Sequence, residues 1–460
     1  MEYKYLILFI GVSVLVPVGI VIARSNPRAL NLVFIALVFG TTQPDSLFGL
    51  PTDINFLSRE WYRGSTRGIE ISYLDLLALI LFISSLSVRN REGVPFVKPP
   101  SLGFLKAYFI WALLTVLIVS EPKIFGVFEL TKIFRAILVF LAVSAFMRSP
   151  DQVRLFVYIL VVICFYEAAV ALQQRYILGM HRIIGSLPHP NSLSMYSLQV
   201  FPITFSASFA PDISSRLRKL CLLASVSIAG VIILTISRTG FASLVVLSFL
   251  VIILNIRFQW TARNIGLVAL VIVIGSLMVV KSWDSLNSRY ASFEFENEYM
   301  SEEGDRGSYF RKGIPALEDN PIFGVGLNNW SYWISNRYAE KAGYDSETYP
   351  SIDFAPNSNR QQAPAHNLYL ITAVELGVVG LVLLIALFGR WLYISGTKLV
   401  KVNGDLLDHV RLGLFLGLMG SLMQSVTEWG LRTTPHFFFA HIGMSVAAFI
   451  YYKKKGIIKN

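Results

Sequence analysis

Cysteine, charge and extended polar stretches are all scarce in this chain. Its two cysteines, Cys164 and Cys221, both fall inside apolar runs. They suggest neither a disulfide framework nor a metal site. Only 15% of the 460 residues are charged, well short of what a soluble domain of this length carries. No apolar run alternates in the manner of an outer-membrane barrel strand. No internal repeat of the transporter kind is evident. The glycine-rich stretch "GVGLNN" lacks the Lys-Ser/Thr that a Walker A loop requires.

Apolar residues fill the space these absences leave. They make up 54% of the chain, and the mean hydropathy is +0.57. Runs near the length of a bilayer crossing recur from end to end. They read as Leu6–Ile22, Leu30–Gly40, Ile71–Val88, Gly103–Val119, Val127–Phe146, Leu155–Leu172, Ser192–Ala210, Leu220–Ile236, Gly240–Ile256, Ile265–Val280, Leu368–Phe388, Leu412–Val426 and Phe437–Tyr452. Some are short or carry a charge, so the expected count is about 12 or 13. Lipid offers no partner to a free peptide group, so each span is expected to be a helix. The fold class expected is an all-α integral membrane protein. The first run lacks a small-residue cleavage site and reads as a retained helix rather than a signal peptide. Three regions follow: N-terminal helices over 1–280, a large polar loop over 281–367, and a three-helix C-terminal segment with a basic tail over 368–460.

Net charge is +11, and its distribution gives an orientation. Lysine and arginine gather in "VRNREGVPFVKPP", "RLRKL", "RFQWTAR", "RWLYISGTKLVK" and "YYKKKGIIK", whereas acids outnumber bases in the large loop. The positive-inside rule puts the basic connections and the C-terminus in the cytoplasm. This orientation bias also accounts for the excess charge without nucleic acid. The loop between the tenth and eleventh spans then lies outside. With it come Thr41–Glu70, Gln173–Asn191, the junction Ser237-Arg238 and the corner Thr427–His436.

Four of the six histidines, His181, His189, His366 and His436, fall on that outer side. Arg238, in "SRTGF", stands where one helix emerges and the next begins. It reads either as a snorkelling anchor or as an anion clamp beside a helix N-terminus. A short helix over Gly307–Asp319 is expected, with Arg306 at its start and Arg311 within it; solvated pairing to Glu302, Glu303 and Asp305 is the plainer role for both. His366 sits at the outer surface and can exchange a proton near neutral pH, or be an ordinary interfacial residue. Asn367 can cap the following helix. Glu375, with Gly377 and Gly380 near it, needs a partner or an aqueous cavity, and glycine packing against a neighbouring helix is the plainer account. Pro190 and Asn191 read as helix-start residues beside His189. The last outer corner adds Glu428, Arg432 and His436. Glu129, Lys132 and Arg135, spaced by three, predict an internal salt bridge.

Taken in order, "SRTGF", then Arg306 to Asn329 with "DNPIFGVGLNN", then "AHNLYL" followed by Glu375 and Gly377, resemble the O-antigen ligase and polymerase superfamily of bacterial membrane glycosyltransferases. "GSLPHPNSLSMY" is similar to the family's segment before a helix. The resemblance is sharpest over Ile183–Gly380. It implies a GT-C-type enzyme of the inner membrane with its active site facing the periplasm. The implied donor is a glycan on undecaprenyl diphosphate; the acceptor is a growing glycan or the lipid A core. Membrane lipids, and chain-length or export proteins of polysaccharide assembly, are further implied partners. The family uses no metal, nucleotide or other cofactor. Residue by residue, Arg238 and Arg306 match its diphosphate-binding arginines and His366 its catalytic base. Arg311 is this chain's own neighbour to them. Asn367, Glu375, His189, Asn191, Arg432 and His436 are expected in support. The expectation is inverting transfer, with polymerase favoured over ligase and a polysaccharide flippase as the rival class.

Overall fold

A computed structural model of the protein describes residues 9–43, 46–47, 50–51, 53–256, 305–338, 363–397, 404–433 and 435–454, with scattered helical positions between 262 and 287. The expected span Ile265–Val280 is covered only at those scattered positions. The loop stretches 288–304 and 339–362, and the basic stretches 257–261, 398–403 and 455–460, lie outside the described residues.

Within that range the chain is overwhelmingly helical. The helices are α1 (Val16–Ser25), α2 (Pro27–Gly40), α3 (Tyr73–Arg91), α4 (Leu102–Ile118), α5 (Lys123–Phe146), α6 (Pro150–Leu172), α7 (Pro190–Ala207), α8 (Ser215–Leu234), α9 (Arg238–Ile256), α10 (Asp305–Asp319), α11 (Trp330–Trp333), α12 (Leu368–Gly396), α13 (Leu406–Gln424), α14 (Gly430–Thr433) and α15 (Pro435–Lys454). Among the described residues, six helices are long and apolar enough to cross a membrane: α3, α6 with its extension to Ile177, α8, α9, α12 and α13. Four shorter apolar helices accompany them. The protein is an all-α integral membrane protein. Helices α5 and α7 are comparably long but turn polar groups inward; Glu129, Lys132, Ser194, Ser197 and Gln199 are all buried. A polar group inside a span is tolerated where protein rather than lipid surrounds it.

Local signals set several boundaries. Asn26-Pro27 interrupts the first apolar region, and the Asn26 side chain accepts from the Arg28 amide at 2.9 Å. Ser72 and Asp75 form a capping box at the start of α3. The polar segment between α2 and α3 carries two small antiparallel hairpins, Ser46–Leu47 with Leu50–Pro51 and Asp53–Phe56 with Ile69–Ser72. Tyr62, between the second pair of strands, stacks on Phe125 of α5 with ring centroids 3.7 Å apart.

Close helix contact is made through glycine. In "GLFLG", a Cβ on Gly413 would lie 2.4 Å from the Ile203 Cα, and one on Gly417 2.7 Å from the Gln199 carbonyl oxygen. Glycines four apart let α13 lie directly against α7, a common way of packing spans where the hydrophobic effect gives no drive.

Helix α12 is broken at Gly377, whose φ of 68° and ψ of −178° are outside the helical region. The "NPIFGVGLNN" turn docks into the break. Val325 N donates to the Val374 carbonyl and Gly326 N to the Glu375 carbonyl, each at 2.9 Å, while Val378 N donates to the Pro321 carbonyl at 2.8 Å. Backbone groups released by the break are thereby satisfied within protein, as a break inside a span requires. Gly377 is therefore a conformational requirement rather than the helix-packing glycine expected from sequence.

Candidate functional site

The segment before α12 is pinned from three directions. The Trp330 indole donates to the Ala363 carbonyl at 3.0 Å. Asn367 caps α12 by accepting from the Leu370 amide at 2.8 Å. The Leu368 amide donates to the carbonyls of Ser425 and Glu428 at 3.0 and 3.2 Å. His366 is thus fixed against the corner after α13. Its Nδ1 lies 3.0 Å from a carboxylate oxygen of Glu428; the histidine side chain is 34% exposed and the glutamate only 6%. The Tyr309 ring of α10 lies 5.8 Å from the imidazole, centroid to centroid.

The other side of this corner is built by the segment before α7. Gln174 accepts from the amides of Ile184 and Gly185 at 2.9 and 2.8 Å. Buried Glu167 accepts from both the amide and the hydroxyl of Ser186. Arg182 donates from Nε to the Thr235 carbonyl at 3.1 Å and from Nη2 to the Asn191 side-chain oxygen at 3.0 Å. The Asn191 amide then donates to Glu428. Asn191 therefore does more than begin a helix. His189 is the cap, its Nδ1 accepting from the Asn191 amide at 3.2 Å. Desolvation pulls His189 below the ordinary histidine range; Glu428 opposes this and Arg182 and His366 reinforce it.

Helix α9 enters from a third direction. Ile236 has φ 53° in the sharp turn before it, an uncommon conformation for a β-branched residue. Ser237 follows, then half-buried Arg238 as the first residue of α9. Thr239 is joined to Thr427, the residue before Glu428, by a hydroxyl–hydroxyl bond of 2.9 Å. Arg238 thus begins its helix next to the corner that holds His366. Arg311 lies two residues beyond Tyr309 on α10. Arg306 lies near the start of the same helix, and its side chain is outside the described residues, as are those of its expected partners Glu302, Glu303 and Asp305.

Three expected supporting residues take up different work. Glu375, 1% exposed, accepts from the backbone amides of Asn328 and Trp330 at 2.9 and 3.1 Å and from Arg432 at 2.8 Å. It anchors the glycine-rich turn. Arg432 also donates to Glu129 at 3.0 Å, and opposing these two carboxylates keeps its guanidinium firmly charged despite burial. His436 is buried, with Nε2 3.9 Å from an Asp75 oxygen. The salt bridge expected within α5 is replaced by bonds to other elements: Glu129 to Arg432, Arg135 to Asp75 at 2.8 Å and to Glu70 at 3.5 Å. A helical spacing of three allows contact, but a better-placed partner on another element wins here. Arg432 and Lys132 also line a cleft of about 620 Å³ walled by Tyr108, Phe388, Trp391 and Phe438.

The contacts therefore join His366, Glu428, Asn191, Arg182 and the start of α9, and set the Glu129–Arg432–Glu375 cluster beneath the glycine-rich turn. The sequence places Glu428 at the outer corner, but its pairing with His366, and the part of Arg182, emerge only in three dimensions. Comparison with curated proteins finds no match. Residues 223–385 match the family model described as O-antigen ligase, a stretch that begins in α8 and includes Arg238, α10, the docked turn, His366 and the α12 break. Over that stretch, about a third of its length, this multi-pass membrane protein is similar to the O-antigen ligase family.

Proposed function

We propose that the protein is a membrane glycosyltransferase that moves a glycan from an undecaprenyl-diphosphate donor to a sugar hydroxyl on the periplasmic face of the bacterial inner membrane. The observation that carries this reading is that α10, through the Tyr309 ring, and the start of α9, through the Thr239–Thr427 bond, both meet the corner that holds His366. In the proposed step, the acceptor oxygen attacks the anomeric carbon as its proton passes to His366. The bond from that carbon to the phosphate oxygen breaks, and its electron pair leaves with the diphosphate. Arg238, Arg306 and Arg311 receive the growing negative charge. A fixed guanidinium in a partly dry site stabilises such charge better than water does, and its planar fork suits phosphate oxygens. A single displacement inverts the anomeric configuration and needs no cofactor beyond these cations.

We favour a polymerase extending an O-antigen or exopolysaccharide. The support is the hairpin segment between α2 and α3, which packs beside the docked turn through Tyr62 and Thr66 and adds a polar surface for a glycan acceptor. The test uses purified protein in vesicles with lipid-linked glycan and acceptor, reading new glycosidic bonds. His366→Ala and Arg238→Ala should each lower the rate about 10²-fold or more. Lipid movement across the bilayer without new bonds would sink the reading in favour of a flippase. In cells, single repeats on the acceptor after loss of the protein support a polymerase; polymer stranded on its carrier identifies a ligase.

A further inference from the structure

Glu428 lies beyond the stretch that matches the family model, as do Asn191 and Arg182. Together with His366 these four side chains form an unbroken line: Arg182 to Asn191, Asn191 to Glu428, Glu428 to His366. We propose that Glu428 is the positioning residue of His366, its carboxylate holding the imidazole proton on Nδ1, and that Arg182, acting through Asn191, orients the side chain at position 428. The inference deepens the transferase reading above and rests on it for its kinetic consequence only.

The argument is one of donors and acceptors. A guanidinium can only donate. Arg182 is held by the Thr235 carbonyl through Nε, and its Nη2 reaches Asn191 at 3.0 Å. The Asn191 side chain must therefore turn its oxygen to Arg182. Its NH2 then faces Glu428 and donates to Oε1. A carboxylate accepts on both oxygens. With Oε1 taken by Asn191, Oε2 is left for His366 Nδ1 at 3.0 Å. The imidazole proton consequently sits on Nδ1, and Nε2 keeps the lone pair that takes the acceptor's proton. A buried charge-assisted partner is well suited to hold a ring in one tautomer and orientation. His189 is the neighbouring histidine, but its Nδ1 lone pair is committed to the Asn191 amide. The geometry thus separates two nearby imidazoles into a capping ring and a working ring.

Glu428→Gln tests this with little change in shape. A glutamine offers one acceptor and one donor where both neighbours need an acceptor. If its oxygen meets Asn191, its NH2 faces Nδ1 and drives the proton to Nε2. The Glu428 backbone carbonyl still receives the Leu368 amide, so the corner retains its main-chain tie. Histidine-selective nitrogen-15 NMR on the full chain in lipid nanodiscs reads the tautomer, with the His366 signals assigned by their loss in His366→Ala. The wild type should show Nδ1–H, Glu428→Gln a majority of Nε2–H, and Glu428→Gln combined with Arg182→Met a mixture, because Asn191 is then freed to flip and either end of the glutamine can face Nδ1. In the transfer assay Glu428→Gln should lower kcat by ~10²–10⁴-fold with KM for the donor nearly unchanged. Glu428→Asp, which restores two acceptors, should recover part of that loss. Nε2–H in the wild type, or a Glu428→Gln protein with an unchanged tautomer, overturns the proposal. So does Glu428→Gln lowering kcat no more than Glu428→Asp. An unchanged majority of Nε2–H when Arg182→Met is added to Glu428→Gln overturns the part assigned to that residue. If the tautomers behave as expected while no variant, nor the wild type, forms glycosidic bonds, the positioning stands and the transferase reading falls.

Discussion

Replacing Glu375 by alanine separates a structural carboxylate from a catalytic one. Glu375 lies in a buried group of two cations and two anions, with Arg432 and Lys132 near Glu129. Its two oxygens take three donors: the Trp330 amide on one, the Asn328 amide and Arg432 on the other. Glu375→Ala therefore leaves three buried donors without that acceptor and shifts the local balance by one positive charge. Each orphaned buried donor costs about 1–3 kcal/mol, and breaking a buried ion pair costs about 3–5 kcal/mol. These describe overlapping losses, so a total of about 3–5 kcal/mol is expected rather than their sum. Glu375→Gln keeps one acceptor oxygen and should lose roughly half as much. The assay is tryptophan fluorescence during denaturation of detergent-purified protein, to which Trp330 of the docked turn contributes as one of eight tryptophans. Transfer activity is measured in parallel and normalised to folded protein. The midpoint should fall in the order wild type, Glu375→Gln, Glu375→Ala, while His366→Ala stays at the wild-type midpoint. A Glu375→Ala protein of wild-type stability but abolished turnover would falsify the structural assignment and return Glu375 to the chemistry.

Gly377→Ala should be strongly destabilising, because the new Cβ would lie 2.0 Å from the Ile322 carbonyl oxygen at a φ of 68°. Gly389→Ala on the same helix meets nothing within 4 Å and should be neutral or stabilising by about 0.5–1 kcal/mol; denaturation midpoints of the two variants check the contrast. Turnover with purified components should survive EDTA at an undiminished rate, and restoration of lost turnover by a divalent cation would contradict arginine as the sole source of positive charge at the diphosphate.

The apolar runs were readable because lipid enforces a simple rule: a span must bond to itself, so apolar length translates into helix. Observed helices such as Leu102–Ile118 and Arg238–Ile256 begin and end within a few residues of the runs that announce them. Asn367 was similarly legible, because a cap acts on an amide three positions away. Gly377 was visible as a glycine but not as a break. Its backbone is dictated by the "NPIFGVGLNN" turn, which docks from a separate part of the chain.

What the sequence determined by itself was the all-α membrane class, the approximate placement of its helices, and the ordered arginine and histidine motifs that point to this superfamily. The class and the helix placement follow from local composition and apolar run length, and the motifs carry a resemblance to the family. Only the tertiary structure decided which acid serves which base: Glu428 reaches His366 across 62 positions and Asn191 across 237, while Arg432 reaches Glu129 across 303. Many other carboxylates could have met those groups on charge alone. Choosing among them required the packing of α5, α7, α12 and α13, because a hydrogen bond depends on distances of a few tenths of an ångström that spacing along one chain does not fix.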